Sequence, residues 1–279
     1  TAEFDLLREF IESEAIPNED LMIRGLGTDR IKRLFDEALP EDGYLEPVAS
    51  FLGRGQSSIY NWVSRDSVPA AAFVSLFGLD GAVTRLPNDI SLSVRQDTVA
   101  IDRRLELTAD FAALLGYYAA EGFCRRTSGQ FYQTTICLPD EDLRKAILRT
   151  FDEALSIKAY EESEWKITVS SRLVTSLFID VLKAGSSAAE KRIPRAVISS
   201  PKPVLRAFLS GYFSGDGSAS RDRVEIRAHT VSDELKEDLV GALKRFGITV
   251  KTHRARRSHT SGVIAEFYED SPKFESWVL

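Results

Sequence analysis

The chain has 279 residues, 43% hydrophobic and 28% charged, with a formal net charge of −6 at pH 7 and a pI near 5.3. That length suits about two domains. No apolar run nears the ~20 residues of a membrane span and no signal peptide opens the chain, so a cytoplasmic protein without a membrane partner is expected. The two cysteines, Cys124 and Cys137, have no histidine set beside them and read as buried, reduced thiols rather than zinc ligands or a disulfide.

Residues 1–100 are predicted to form a mostly helical domain. Within it, residues 47–63 carry helix-turn-helix spacing. Ala49 lies four before Gly53, which lets two helices cross, while Ile59 and Trp62 pack the second helix inward. Gln56, Ser57, Ser58, Tyr60 and Asn61 are left outward, where base edges could be read. The same pattern also fits a small helical bundle that braces the rest of the chain.

Residues 101–279 form a second domain, with halves near 105–197 and 198–279. The first half reads as a helix, a strand at 130–138, a helix at 140–155, short strands near 157–161 and 165–170, and a helix at 173–184. The second half reads as a helix through Gly215, a strand at 223–229, a helix at 232–246, and strands near 248–254 and 263–268. Ser232 is a candidate N-cap, with Leu235, Leu239, Ala242, Leu243 and Phe246 at helical spacing behind it. Lys166, Thr168, Ser170 and Arg172 alternate with Ile167, Val169 and Ser171. Arg221, Arg223, Glu225 and Arg227 alternate likewise, and Lys251, Arg254, Arg256 and Arg257 fall in an acid-free stretch. Such faces are ordinarily solvated, but basic strands can also follow a DNA groove. The net acid excess does not exclude this, because backbone binding needs a basic surface and not a basic protein. Acid is concentrated elsewhere, near 140–142, 152–153, 161–164 and 233–238.

The most informative feature is a repeat. Residues 111–122 (Phe-Ala-Ala-Leu-Leu-Gly-Tyr-Tyr-Ala-Ala-Glu-Gly) recur as residues 206–217 (Arg-Ala-Phe-Leu-Ser-Gly-Tyr-Phe-Ser-Gly-Asp-Gly). Gly116 and Gly211, Tyr117 and Tyr212, and Glu121 and Asp216 are each ninety-five residues apart. Both copies read as helices with a small residue every fourth position: Ala112, Gly116 and Ala120, then Ala207, Gly211 and Gly215. Glycine inside a helix costs about 1 kcal/mol relative to alanine, so its paired use implies close backbone packing. Leu114, Tyr117, Tyr118, Leu209, Tyr212 and Phe213 are expected to face the core. Two touching helices would then release Glu121 and Asp216 together at their C-terminal ends. A carboxylate pair there is electrostatically poor unless a cation neutralises it. Its two-fold disposition suits duplex DNA.

These segments resemble the two motifs of LAGLIDADG homing endonucleases, in the single-chain form found inside inteins. Residues 189–194 (Ala-Glu-Lys-Arg-Ile-Pro) resemble the lysine-isoleucine-proline block of that family. Residues 229–239 with 246–248 resemble the strand-to-helix segment of its second repeat. The resemblance covers about residues 105–270. It implies an α+β fold with two antiparallel, saddle-shaped sheets beneath the motif helices, acting as a monomer. It also implies metal-dependent cutting of both strands of a long DNA site. Glu121 and Asp216, with the carbonyls of Gly122 and Gly217, would hold Mg²⁺ or Mn²⁺, and Lys191 would act on the attacking water or the phosphate. Arg54, Gln56, Ser57, Ser58, Asn61, Lys166, Arg172, Arg223, Arg227, Lys251, Arg254 and Arg256 are the candidate DNA contacts. Spacing from the corresponding strand places a second-half counterpart of Lys191 beyond Leu279, so either the chain is trimmed or one strand is cut less efficiently. The termini lack splicing residues, and a splicing domain is expected to adjoin this region in the natural chain. The rival readings are a DNA-binding regulator or degenerate relative that binds without cutting, and an RNA-splicing maturase.

Overall fold

The computed structural model describes residues 2–40, 43–127, 130–219, 226–257 and 274–279, with backbone alone at 127, 131, 255–257 and 274–277. Helices and antiparallel sheets alternate along it. Among the described residues no helix is long and apolar enough to cross a membrane.

Among its described residues the amino-terminal region carries the helices α1 (Leu6–Ser13), α2 (Thr28–Ala38), α3 (Leu45–Phe51), α4 (Gln56–Ser64) and α5 (Ala70–Arg85), the last kinked at Gly78. It also contains a four-stranded antiparallel sheet that the sequence reading did not foresee. Its strands β2 (Leu21–Arg24), β3 (Ser67–Pro69), β4 (Ser91–Val94) and β5 (Ala100–Asp102) lie in the order β3-β2-β4-β5. They are three or four residues long. Leu21, Met22 and Ile23 are all buried, as are Leu92, Ser93 and Val94, so no period of two exists to betray a strand.

The expected division near residue 100 is crossed by a strand pair. β1 (Glu3–Asp5) runs antiparallel to β6 (Arg104–Glu106). Beside them Arg103, 1% exposed, donates to both oxygens of Asp5 at 2.9 and 2.6 Å and to the carbonyls of Leu86, Pro87 and Val83.

The first repeat runs α6 (Ala109–Glu121), β7 (Gly122–Thr127), β8 (Gln130–Cys137), α7 (Glu141–Leu155), β9 (Tyr160–Ser163), β10 (Lys166–Ser170) and α8 (Arg172–Ser176). Side-chain caps begin three of these helices: Thr108, Asp140 and Ser171 accept from Phe111 N, Leu143 N and Val174 N. The sheet order is β7-β8-β10-β9. Three expectations change here. β7 was missed, β9 begins at Tyr160 rather than near 157, and the helix expected over 173–184 passes after Ser176 into a π turn, Leu177–Val181.

The second repeat runs α9 (Arg195–Ser199), α10 (Lys202–Asp216), β11 (Ser218–Ala219), β12 (Ile226–Arg227), β13 (His229–Thr230), α11 (Asp233–Lys244), β14 (His253–Arg257) and β15 (Phe274–Val278). Ser232 caps α11 as expected, accepting from Leu235 N at 3.0 Å. The strand expected at 248–254 starts only at His253, and β15 was not anticipated. The strand expected at 263–268 lies outside the described residues, as do Arg221, Arg223 and Glu225.

Candidate active site

The two repeats meet through α6 and α10, and glycine decides how closely. A Cβ on Gly116 would stand 2.1 Å from the Phe208 carbonyl oxygen, and one on Gly211 would stand 2.3 Å from that of Ala113. No side chain fits at either point, so the backbones touch. One turn further on, a Cβ on Gly215 would lie 2.6 Å from Ala120 Cβ and 3.3 Å from Glu121 Cγ. The small-residue stripes therefore meet as the repeat implied. Leu114, Tyr118, Leu209 and Tyr212 are buried, while Tyr117 and Phe213 are half-buried.

Glu121 and Asp216 are the last residues of these helices, and both are half-buried. Burial raises the Glu121 carboxyl above its usual value. Asp216 rises from 3.8 to about 7, through burial first and the nearby Glu121 charge second. The carboxylates thus share one electrostatic environment. Gly122 and Gly217 follow in extended backbone, φ −96° and −79°. They are not left-handed caps; a Cβ would collide with the Tyr118 or Phe213 carbonyl of the preceding turn, at 2.5 and 2.2 Å.

Among the described residues no group of three or more His, Cys, Asp or Glu side chains gathers as a metal site. The fit of a divalent cation rests instead on two carboxylates whose proton affinity is raised by burial and, for Asp216, by the neighbouring Glu121 charge. Mg²⁺ is ordinarily held by one or two carboxylates with carbonyl, water or phosphate oxygens, and this donor set matches that chemistry.

Lys191 lies on the segment joining the repeats. It is 2% exposed, its Nζ stands 3.2 Å from the Tyr118 ring centroid, and that nitrogen has no hydrogen-bond partner. Burial lowers its amine from 10.5 to about 7, with Cys124 and Glu190 pulling the other way. Its amine therefore rests on a ring one helical turn before Glu121, a placement no local pattern announced.

Candidate DNA contacts fall in three places. On α4, Gln56, Ser57 and Asn61 are exposed and Ser58 half-buried, while Ile59 and Trp62 turn inward. Arg54, in the turn before it, is ion-paired with Glu19. On the first sheet, register places Lys166 opposite Cys137, Thr168 opposite Thr135 and Ser170 opposite Gln133, but Ile167, Thr168 and Val169 are all buried, so the expected half-buried alternation is lost and only Lys166 and Ser170 of that strand reach solvent. Arg172 does not extend that alternation. It opens α8 in a polar cleft of about 580 Å³ between this sheet and the amino-terminal region, 3.7 Å from Asp20. The expectation that acid stays off the face fails at Glu162, which accepts from Arg125 at 2.7 Å and Thr168 at 2.9 Å. In the second repeat Arg227, Lys251 and Arg254 are exposed, and Arg256 lies in β14 with its side chain undescribed. The cysteines are free, and half-buried where they were expected to be buried.

Residues 203–269 match the family model of the LAGLIDADG-like domain. That matched span includes the end of the second motif helix, with Gly211, Asp216 and Gly217. The chain is 27% identical over 288 residues to the DNA polymerase II large subunit of Haloquadratum walsbyi, covering 96% of this chain and 12% of the relative. It is 31% identical over 251 residues to the DNA polymerase II large subunit of Thermococcus kodakarensis, covering 88% and 12%. The chain thus spans about an eighth of the length of these relatives. Among solved structures it is similar to I-DmoI in complex with DNA and Mn, at 14% identity and a TM-score of 0.40, covering 62% of this chain and 89% of that one. It is also similar to full-length DUF199/WhiA from Thermatoga maritima, at 15% identity and a TM-score of 0.38, covering 62% and 51%.

Proposed function

We propose that this chain is a site-specific DNA endonuclease that makes a divalent-metal-dependent double-strand cut at a long recognition site, as an intein homing enzyme. One observation carries the reading: two repeated helices, fused at Gly116 and Gly211, bring Glu121 and Asp216 into one partly desolvated place. A structural helix crossing has no use for two half-buried acids, one of them raised further by the charge of the other. The relatives support the intein setting, since this chain matches an eighth of long polymerase subunits, as an insertion in a replication gene would.

Glu121 and Asp216 would hold Mg²⁺ or Mn²⁺ with the Gly122 and Gly217 carbonyls. Bound there, the metal would supply Lewis acidity at the scissile phosphate and a more acidic water. The chain's own part is positional: the helix crossing fixes one carboxylate for each repeat, and the sheets' polar faces, with α4, orient the duplex. Phosphate contacts would set register and base-edge contacts would set sequence. Lys191 would stabilise charge on the phosphate or orient the attacking water.

A second reading, a relative that binds without cutting, is favoured by the Lys191 amine, which rests on Tyr118 rather than on the carboxylates. A plasmid bearing the uninterrupted polymerase gene, incubated with Mg²⁺ or Mn²⁺, separates the two. Linear product lost in Asp216→Asn with binding retained supports cutting; retarded but intact plasmid under every metal condition supports the regulator.

A further inference from the structure

The segment joining the repeats is held from both sides, and one side chain organises the side nearer the carboxylates. Tyr118 is completely buried. Its hydroxyl donates to the Gly185 carbonyl at 2.7 Å and lies 3.1 Å from Cys124 Sγ. Its ring carries Lys191 Nζ at 3.2 Å, and the same ring lies under Gly122, where a Cβ would stand 2.3 Å from Cδ2. Cys124 N donates to Ser186 O at 3.0 Å. From the second repeat, Ser232 Oγ donates to the Lys191 carbonyl at 2.6 Å and Asp238 accepts from Ile193 N at 3.0 Å. The Lys191 backbone is therefore fixed by both halves, while its ammonium is placed by an aromatic face.

The position ninety-five residues after Tyr118 is Phe213, which keeps the ring and drops the hydroxyl. A lysine stem is long and flexible, and a cation over an aromatic face is attracted by the ring quadrupole.

We propose that Tyr118 is the positioning residue for Lys191: its ring holds the amine one side chain away from the Gly122 backbone, and its hydroxyl anchors that ring to Gly185. This rests on the reading of Lys191 as a group that acts at the scissile phosphate. Tyr118 is completely buried and acts only through the lysine.

The test is single-turnover cleavage of the supercoiled plasmid with Mn²⁺, with plasmid binding in Ca²⁺ measured alongside. Tyr118→Leu is expected to slow cleavage by about ten- to a hundredfold, the scale of a catalytic group displaced by about 1 Å, with binding unchanged. Tyr118→Phe keeps the ring and should lose only a fewfold. Lys191→Met alone should match or exceed the Tyr118→Leu loss, and in that background both Tyr118 changes should cost nothing further. Losses of equal size with and without Lys191 would overturn the proposal, because the ring would then act on the fold at large. Wild-type cleavage by Lys191→Met would instead remove the reading beneath it, leaving Tyr118 nothing to position. Should Tyr118→Leu fail to fold, the Tyr118→Phe and Lys191→Met cycle decides alone: a Tyr118→Phe loss that persists without Lys191 counts against the proposal.

Discussion

Asp216 ties the repeat to a measurable chemistry. Its carboxyl keeps its proton up to about 7 in the folded chain, against 3.8 for an unperturbed aspartate. The protonated form is the one the metal-free fold tolerates, so the associated stability is present at low pH and is lost as pH climbs from the unperturbed value through about 7. A divalent cation favours the ionised pair, and its binding stabilises the native state by mass action. Mg²⁺ is therefore expected to raise Tm more at pH 8 than at pH 6, and cutting at subsaturating Mg²⁺ should rise over the same interval. Asp216→Asn should abolish both trends. Equal Mg²⁺-induced shifts at the two pH values, read by scanning calorimetry, would count against a cation on this pair. Glu121 and Asp216 were legible because a repeat marks them twice. Lys191 was legible as a type of residue, but its burial against Tyr118 was not, since that contact joins distant parts of the chain.

At the scale of the element, the α6–α10 crossing depends on two missing side chains. Alanine in place of Gly116 gains about 1 kcal/mol of helix propensity, but its Cβ must displace the Phe208 carbonyl from 2.1 Å. Overpacking of well-packed contacts typically costs about 1–3 kcal/mol, and here the obstacle is backbone, which cannot rotate aside. The collision should win: Gly116→Ala is expected to lower stability by about 1–2 kcal/mol in urea titration and to abolish cutting by parting the carboxylates. Gly241 in α11 is the contrast, exposed and with nothing within 4 Å of a Cβ. Gly241→Ala should stabilise by about 0.5–1 kcal/mol. If both changes stabilised, the close approach of α6 and α10 would be wrong. This crossing was readable in advance because spacing of four along one helix is local information. The short strands of the amino-terminal sheet were not, for want of alternation.

At the scale of the whole molecule, the amino-terminal region is bound to the first repeat by more than a linker. Arg103 is buried and its carboxylate partner is Asp5, at the far end of the region. Removing one partner of a buried ion pair usually costs about 3–5 kcal/mol, because the other charge is left uncompensated. Asp5→Ala should thus lower the melting temperature markedly, and a change within error would mean the pair holds nothing together. The DNA reading of α4 has its own test. Gln56 and Asn61 are exposed, so the double alanine variant should keep its Tm while losing target affinity. Unaltered affinity would return α3 and α4 to a bracing role. Arg54, already paired with Glu19, is expected to contribute less than its charge suggests.

What the sequence determined by itself is the pair of helices, the two acids at their ends and the capped α/β repeats behind them. These are written in spacings of a few residues, and a duplication confirms each by a second copy. Only the tertiary structure decided that the carboxylates share one partly desolvated place, that Lys191 rests on Tyr118, and that Glu162 neutralises Arg125 on the sheet face. Those facts depend on which surfaces meet after the chain turns back on itself, and side chains far apart in the chain leave no periodic trace of the partner they will find.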